Sequence, residues 1–307
     1  MRALVVTNMY PSAEDPGRGS FVRDQVEALR RLPDLDVELY GFRSAGAASY
    51  ARAGRELRRR YRGRRFDVVH AHFGLTIWPA LAVRGTAHGV TLHGTDLVHP
   101  RSRAITIAGL PLMDLVAPVS EELAGLVPAW AARGEMAILP AGVDTERFRP
   151  IDRQEARRAL SLAPEVPYLL FPADPARPEK RYDRALAIAG EVPLLTLGRV
   201  DPIEVPLWVN AANAVVVTSE RESFGLAVLE ALACDVPVLS TPVGIAPRVL
   251  ASVQGVHCGV FDEAIWRRLL APLVEAENPR VQGREAAEDY SAQRMAERMA
   301  AAWRSLT

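Results

Sequence analysis

The sequence predicts an α/β protein built from two doubly wound domains, each with a parallel sheet covered by helices on both faces. Short apolar runs recur along the whole chain, and amphipathic stretches separate them. Strands of a parallel sheet are buried on both faces and appear as nearly continuous apolar runs, so this alternation indicates parallel sheets. The length of 307 residues favours two domains of ordinary size.

The predicted elements alternate in type along the chain. The amphipathic helix Ser20–Leu32 shows the pattern, because Val22, Val26 and Leu29 fall on one helical face. Further helices are expected at Arg181–Ala189 and Leu226–Cys234. The strands are expected at Ala3–Thr7, Val37–Tyr40, Phe66–His70, Gly89–Leu92, Leu115–Ala117, Met136–Leu139, Tyr168–Phe171, Leu194–Leu197, Ala214–Thr218 and Pro237–Ser240.

The turn-rich segment Leu139–Pro150 lacks a helical period and is the expected linker between the two halves. We therefore predict an N-terminal domain over residues 1–145 and a C-terminal domain over residues 146–288. Residues 289–307 are predicted to form a helix that packs back toward the first domain. Sheets of this kind bind ligands at the carboxyl ends of their strands, so the two domains are expected to face each other across a cleft.

Composition narrows the class of protein. The 37 basic and 37 acidic residues cancel, so no net field favours nucleic acid. Cys234 and Cys258 are far apart and lack a metal-binding motif, which fits a reducing cytosol and two buried thiols. Met1–Val6 has the pattern of a strand and not of a signal peptide, and no apolar run reaches the roughly 20 residues of a membrane-spanning helix. A cytoplasmic protein is expected.

The segment Glu222-Ser-Phe-Gly-Leu-Ala-Val-Leu-Glu230 follows a buried strand and begins a helix. Ser223 is expected to cap that helix, and Gly225 lets a ligand approach the backbone. The first N–H groups of a helix have no intrahelical partner and suit an anion such as a diphosphate. The carboxylates of Glu222 and Glu230 suit vicinal hydroxyls of a ribose or a hexose. Taken alone, the segment also fits a capped helix with two surface glutamates.

The segment resembles the hallmark of retaining glycosyltransferases with the GT-B fold, of the family-four (glycosyl transferases group 1) type. That hallmark is two glutamates separated by seven residues with a glycine between them, then a small-residue helix and a Pro-Val strand. Glu222–Val238 reproduces it except at Asp235, where the family usually has glycine. The resemblance implies two Rossmann-like domains. It also implies transfer of a hexose, with retention, from a UDP- or GDP-linked sugar to an acceptor hydroxyl, without a metal or another cofactor.

The resemblance assigns roles in donor binding to the C-terminal half. Phe224, Gly225 and Leu226 would offer backbone amides to the diphosphate of the nucleotide sugar. Glu230 would bind the ribose, and Glu222 would position the sugar. The departing diphosphate would leave positive charge on the anomeric carbon, and the acceptor would attack from the same face.

The loop before helix Arg181–Ala189 is rich in charge, and it either holds the donor diphosphate or is merely solvated. Lys180 matches the lysine that the family places there, and it would neutralise the diphosphate. Pro175 stands where the family has an arginine. Arg177 or Arg181 would then supply the missing guanidinium.

Two motifs in the first half match the family more loosely. The loop Tyr10–Val22 carries Gly19, which the resemblance places over the donor diphosphate. Thr91–Asp96 resembles a His-Gly-x-Asp signature, and His93 would contact the donor sugar near the reacting carbon. Asp96 is the second catalytic candidate in this motif, and a purely structural histidine is the alternative for His93.

Three other patterns in the sequence have simpler structural explanations. His70-Ala-His72 puts two imidazoles on one face of a strand, but no third ligand clusters with them, so a structural role is favoured and no metal is expected. Asp34-Leu-Asp36 is interpreted as a turn. The run Arg58–Arg65 either ends a helix in solvent or contacts anionic lipid at the inner membrane surface.

Two alternatives to transfer remain open at this point. One is a non-catalytic nucleotide-sugar-binding protein, and the other is a sugar-nucleotide epimerase on the same fold. The nucleobase, the sugar, the oligomeric state and the acceptor also stay open, the acceptor being a glycan, a lipid-linked sugar or a small molecule. Donor turnover separates an enzyme from a binding protein.

Overall fold

The computed structural model describes residues 1–12, 15–198 and 200–307. The chain divides into two compact units. Unit 1 consists of Met1–Gly142 together with Ala292–Thr307, and unit 2 consists of Val143–Ser291. The N-terminal segment of unit 1 therefore ends at Gly142, slightly before the expected boundary at residue 145. Each unit holds one sheet, and every strand pair is parallel. The predicted α/β class with two Rossmann-like units is confirmed.

Unit 1 contains a six-stranded sheet with the order β2-β1-β3-β4-β5-β6. Its strands are β1 Arg2–Thr7, β2 Asp36–Gly41, β3 Phe66–His72, β4 Gly85–Leu92, β5 Leu115–Pro118 and β6 Glu135–Met136. The helices between them are α1 Ser20–Arg30, α2 Ala47–Arg60, α3 Ile77–Ala80, α4 Thr95–Val98, α5 Pro100–Gly109 and α6 Glu121–Gly125.

The core of unit 1 forms where the sequence pattern places apolar side chains. Residues 3–6 of β1 are fully buried, as expected for a central strand covered on both faces. Val22, Val26 and Leu29 of α1 are also fully buried and pack in the same core cluster as Ala3 and Val5. The amphipathic pattern of this helix is therefore confirmed.

Unit 2 contains a five-stranded sheet with the order β11-β10-β9-β7-β8. Its strands are β7 Leu169–Phe171, β8 Leu194–Thr196, β9 Ala214–Val217, β10 Val238–Ser240 and β11 His257–Cys258. Its helices are α7 Arg153–Ala159, α8 Tyr182–Ala189, α9 Val205–Ala211, α10 Leu226–Ala233, α11 Ala246–Leu250, α12 Glu263–Glu275 and α13 Arg284–Glu288.

Two local predictions need correction. The strand expected at residues 136–139 ends at Met136, after only two residues of pairing with β5. Asp36 is the first residue of β2, so only Asp34 of the pair Asp34 and Asp36 lies in a turn. The carboxylate of Asp34 accepts a hydrogen bond from Arg304 at 2.6 Å, which gives this side chain an ion-pair partner.

The last helix, α14 Ala292–Arg304, belongs to unit 1 and packs on α1. Its buried side includes Met295 and Met299, the stripe that the sequence pattern indicates. Trp303 is fully buried at its end, and the indole N–H donates to His70 Nδ1 at 3.1 Å. The helix is therefore held by apolar packing and by one hydrogen bond to a buried strand residue.

Replacing Trp303 by phenylalanine is expected to lower the free energy of unfolding by about 1–2 kcal/mol, because it leaves His70 Nδ1 buried without a donor. Urea unfolding followed by circular dichroism measures this loss. Trp78→Phe is the matched control, since Trp78 is 44% exposed and its indole makes only a 3.4 Å contact with Ile105 O. An equal loss in both variants would contradict the role of the hydrogen bond.

Candidate functional site

The order of strands in unit 2 marks the place where a ligand is expected. The chain passes from β7 to β8 on one side and then crosses to β9 on the other side of β7. In open parallel sheets, ligands bind beside the carboxyl ends of the strands at such a switch point. The loops after β7 and β9 are therefore the expected ligand-binding loops of unit 2.

Hydrogen bonds join these two loops to each other. The Thr218 hydroxyl, directly after β9, lies 3.1 Å from the carbonyl oxygen of Lys180 and 2.9 Å from that of Arg181. The backbone N–H of Glu220 donates to the carbonyl oxygen of Glu179 at 2.9 Å. The loop that carries Lys180 is thus fixed against the loop that carries Glu222.

Lys180 and Glu222 form an ion pair at this point. Lys180 Nζ lies 2.6 Å from Glu222 Oε1 and 2.7 Å from Oε2, and Ser219 Oγ donates to Oε1 at 2.8 Å. Both side chains of the pair are only 14% exposed. An ammonium group has three N–H donors, so two can hold the carboxylate while the third remains for an anionic ligand.

Lys180 is also unusual in the composition of the chain, a fact that the sequence prediction did not use. It is the only lysine among the 307 residues, and arginine supplies every other cationic side chain of the Lys/Arg total of 37. A lysine ammonium is a compact charge with rotatable donors, whereas guanidinium is a planar fork. The single lysine of the chain therefore lies at the switch point of unit 2.

The helix after β9 begins at Leu226, as predicted, but its cap differs from the prediction. Ser223 does not cap it; the N-cap is Gly225, which has a φ of 92° and no side chain to satisfy the first N–H groups. The positive φ favours glycine, and Val228 N–H already donates to the Gly225 carbonyl. Phe224 is buried, and its carbonyl accepts from Ile245 N–H at 2.7 Å. The backbone from Phe224 to Leu226 is thereby held in place at the start of α10.

The two arginine candidates are both engaged with carboxylates. Arg177 donates through Nε and Nη2 to Glu179 Oε1, at 3.0 and 2.7 Å, and its side chain is 56% exposed. Arg181 binds Asp183, at 2.6 and 2.8 Å, and also Glu220. Which of these arginines supplies a guanidinium at the site stays a prediction.

Glu230 lies on α10, four residues beyond its first residue, which places it about 6 Å along the helix axis. It is partly buried. Its role toward a ribose stays a prediction.

In unit 1, the carboxyl ends of β3 and β4 bring two histidines together. His72 ends β3, and His93 follows β4, the neighbouring parallel strand. Their rings are stacked with centroids 5.2 Å apart, and His72 Nδ1 lies 3.0 Å from His93 Nε2. The ring of Phe21 packs on His93 at 5.1 Å. His72 is therefore a direct neighbour of His93, a contact that the sequence prediction missed.

His70 is fully buried next to this pair, with its ring centroid 5.4 Å from that of His72. Its Nδ1 accepts from the Trp303 indole, so its Nε2 carries the proton and donates to Thr91 Oγ1 at 2.7 Å. Burial lowers the pKa of His70 and of His93 to about 3, and it lowers the pKa of His72 well below the ordinary value. All three imidazoles are therefore neutral at pH 7. The structural interpretation fits His70.

Asp96 is turned toward the backbone. It is fully buried, and its carboxylate accepts the N–H groups of Gly74, His93 and Gly94, the shortest at 2.7 Å. Burial raises the pKa of this carboxyl, although the three N–H donors favour its ionised form. The geometry makes Asp96 a positioning residue for the turn that carries His93 and gives it no open side toward a substrate.

Asp96→Asn is expected to lower the free energy of unfolding by about 2–3 kcal/mol, because an amide cannot accept all of these backbone N–H bonds. Urea unfolding at neutral pH checks the value. Asp36→Asn serves as the control, since Asp36 is exposed at the start of β2. A loss below that of the control would mean that the carboxylate does not organise the turn.

Gly19 is the N-cap of α1 and has a φ of 68°. A Cβ built at this position would lie 2.4 Å from the carbonyl oxygen of Met9, so no larger residue fits without a shift of the backbone. As a glycine, the N-cap has no side chain that could cap the first N–H groups of α1. The geometry is compatible with the predicted contact to a diphosphate, which stays a prediction.

Several other expectations can be placed on the structure. Cys234 is buried, as expected, whereas Cys258 is only partly buried, which corrects the prediction of two buried thiols. In residues 1–12, 15–198 and 200–307, no group of three or more His, Cys, Asp or Glu side chains is arranged to hold a metal ion. Across the same residues, no helix combines the length and apolar character needed to cross a membrane.

Comparisons with known proteins match both halves of the chain. The family model "Glycosyltransferase Family 4" matches residues 3–147, and the model "Glycosyl transferases group 1" matches residues 162–290. A D-inositol 3-phosphate glycosyltransferase of Actinosynnema mirum is 29% identical over 67% of this chain. A relative of the same name in Geodermatophilus obscurus is 30% identical over 62% of it. The chain spans 65% and 55% of these two relatives.

Solved structures show the same fold over the full length. Sucrose-phosphate synthase of Thermosynechococcus elongatus has a TM-score of 0.76 at 18% identity and covers 100% of this chain and 99% of its own. Anabaena HepE in complex with UDP-glucose has a TM-score of 0.70 at 15% identity, and the match covers 99% of this chain and 100% of HepE. At these identities the likeness establishes the fold. With a family model matched to each half, the chain belongs to the group 1 glycosyltransferases of the GT-B fold.

Proposed function

We propose that this chain transfers a hexose from a nucleoside-diphosphate sugar to an acceptor hydroxyl, with retention of configuration. The observation that carries the proposal is the Lys180–Glu222 pair, held by Ser219 beside the start of α10 at the switch point of unit 2. This place combines a partly buried cation with backbone N–H groups at a helix start, and both suit a diphosphate.

In the proposed mechanism, the third N–H of Lys180 and the amides from Phe224 to Leu226 bind the diphosphate of the donor. Neutralising the diphosphate makes it a better leaving group, because its charge grows as the bond to the anomeric carbon breaks. Glu230 binds the ribose. Arg177 or Arg181 adds a guanidinium after exchanging its present carboxylate partner. The ammonium and the amides meet the charge of the diphosphate, so we propose that transfer is independent of a metal.

Glu222 positions the sugar, and His93 of unit 1 contacts it near the reacting carbon. Because burial keeps His93 neutral, its imidazole can act as a hydrogen-bond donor or acceptor without adding charge. The acceptor hydroxyl attacks from the face that the diphosphate leaves, and a phosphate oxygen takes its proton. The engagement of the Asp96 carboxylate with backbone N–H groups supports this route over a covalent intermediate on Asp96.

The relatives guide the first choice of substrates. Relatives that match at 27–30% identity are named D-inositol 3-phosphate glycosyltransferases, and the Anabaena structures contain UDP, glucose or UDP-glucose. We propose UDP- and GDP-linked glucose and mannose as the first donors to test, with a phosphorylated polyol as the first acceptor. A cytoplasmic location and contact of Arg58–Arg65 with the inner membrane surface stay predictions.

The test is an assay of the full chain with each donor, in the presence and absence of acceptors. Transfer releases the nucleoside diphosphate, and NMR of the product gives the anomeric configuration. The proposal predicts release that depends on acceptor and a product with the donor's configuration. Binding without release would identify a binding protein, and a changed sugar that remains attached to the nucleotide would identify an epimerase. Inversion would contradict the proposed mechanism.

A further inference from the structure

Unit 1 contains a cluster of positive charge at the end of its sheet that is opposite His72 and His93. A cavity of about 740 Å³ is lined by five arginines, with Tyr61 on its wall. Four of the arginines come from the end of α2 and the turn that precedes β3, and Arg84 directly precedes β4. The cavity is therefore at the amino ends of β3 and β4, whereas His72 and His93 lie at the carboxyl ends. The five arginines are Arg55, Arg58, Arg59, Arg62 and Arg84.

Among the described residues, the guanidinium groups of this cavity have no protein partner. Within residues 1–12, 15–198 and 200–307, none of the five side chains forms an ion pair or a side-chain hydrogen bond. Three carboxylates of unit 1 contact other groups. Glu38 is bound by Arg64, Glu56 hydrogen-bonds Tyr40, and the Asp67 carboxylate accepts the Arg2 N–H. Among the described residues that line the cavity, none carries a negative charge that could balance the five arginines.

The helix dipole explains only part of this cluster. Cations stabilise the last turn of a helix, which accounts for Arg58 and Arg59 at the end of α2. It does not account for Arg62, which follows the helix, or for Arg84, which comes from another segment of the chain. Five like charges around one cavity repel one another, and an anion between them removes that repulsion.

The chemistry of guanidinium identifies the class of anion. Its planar fork binds phosphate oxygens in pairs, and a cavity of about 740 Å³ is within the range of sites for small molecules. Several guanidiniums around such a volume suit a ligand with more than one phosphate. A carboxylate or a single inorganic phosphate would leave most of them unpaired.

We propose that the arginine cavity binds a ligand that carries two or more phosphate groups, independently of the donor site in unit 2. Two kinds of ligand could present such a cluster of phosphates to the cavity. One is a soluble polyphosphate compound, and the other is the headgroups of anionic lipids, the alternative to a solvated helix end for the run Arg58–Arg65.

Calorimetric titration of the full chain with inorganic tripolyphosphate tests the soluble source. Arg58→Gln/Arg62→Gln is expected to weaken binding by about 100-fold, since each charge-assisted contact contributes about tenfold. Arg52→Gln/Arg101→Gln removes the same charge from exposed positions of unit 1 outside the cavity and is expected to change binding less than about threefold. Affinity should fall at high salt.

Sedimentation with vesicles tests the lipid source. Vesicles of phosphatidylcholine and phosphatidylglycerol are compared with vesicles of phosphatidylcholine alone, using the same two double variants. Binding that requires Arg58 and Arg62 in either arm supports the cavity and identifies the source. The proposal is overturned if the chain binds neither probe or if both double variants lose binding equally. UDP binding in unit 2 is measured in parallel, and its loss in the cavity variant would contradict the independence of the two sites.

Discussion

Lys180→Ala is expected to lower the rate of sugar transfer by about 10²–10³-fold, the loss found when one preorganised donor to a developing charge is removed. The variant removes the only ammonium side chain from a site where both members of the ion pair are 14% exposed. It also leaves the Glu222 carboxylate partly buried, with Ser219 as its remaining side-chain donor among the described residues. Both the departing diphosphate and the carboxylate that positions the sugar are therefore affected.

Steady-state kinetics of nucleoside-diphosphate release measure this loss. Lys180→Arg is expected to recover only part of the rate, because a planar fork cannot hold Glu222 and a phosphate in the same geometry. Arg158→Ala is the matched control, since it removes one exposed cation from α7 in the same unit. Full activity of Lys180→Ala would remove this residue from the mechanism.

Acidification from pH 7 to pH 5 is expected to lower the free energy of unfolding by about 4 kcal/mol through His70 and His72 alone. Their folded pKa values are depressed, His70 to about 3 and His72 well below the ordinary value. The unfolded chain takes up protons below about pH 6.5 and the folded chain does not, so stability is complete above that pH and falls as the pH decreases. Well below pH 6.5 the two histidines together give a slope of about 3 kcal/mol per pH unit, and the slope is smaller near pH 7 because the unfolded imidazoles are then only partly protonated.

Urea unfolding at the two pH values, followed by tryptophan fluorescence, measures the difference. In His70→Gln the difference should fall by about 2 kcal/mol, because one buried imidazole no longer contributes. His99→Gln is the control and should keep the full difference, since His99 is exposed. Equal stability at pH 7 and pH 5 would show that the buried imidazoles are accessible to protons in the folded chain.

Most of the fold could be predicted because its strands are central and buried on both faces. The run Ala3–Thr7 has the pattern of a buried strand in the sequence, and it lies in β1 in the structure. The exceptions lie where local pattern is weak. Strand β11 has only two residues, His257 and Cys258, so it is too short to show a period. Ser223 is a favourable cap residue by type, but the N-cap of α10 is Gly225, which has a positive φ. The conformation of the whole loop decides which residue caps the helix.

The candidate site could be predicted in part, because its motifs are local and its contacts are not. Glu222 and Lys180 were recognised from their own segments, but their pairing depends on β7 and β9 lying side by side. His72 meets His93 because β3 and β4 are neighbours in register, with His72 opposite Thr91. Parallel strands that are buried on both faces appear as nearly continuous apolar runs, so their pattern does not show which residues face each other across two strands.

The single lysine allows the most direct test of the central claim, that a nucleotide-sugar diphosphate binds against Lys180 in unit 2. The full chain is treated with an amine-reactive reagent, with and without UDP- and GDP-linked sugars, and mass spectrometry measures the modification of Lys180. The α-amino group of Met1 is the internal reference. The account predicts that one of these nucleotide sugars slows the modification of Lys180 while that of the α-amino group is unchanged. Equal modification of Lys180 with and without every nucleotide sugar, at concentrations that support transfer, would contradict it.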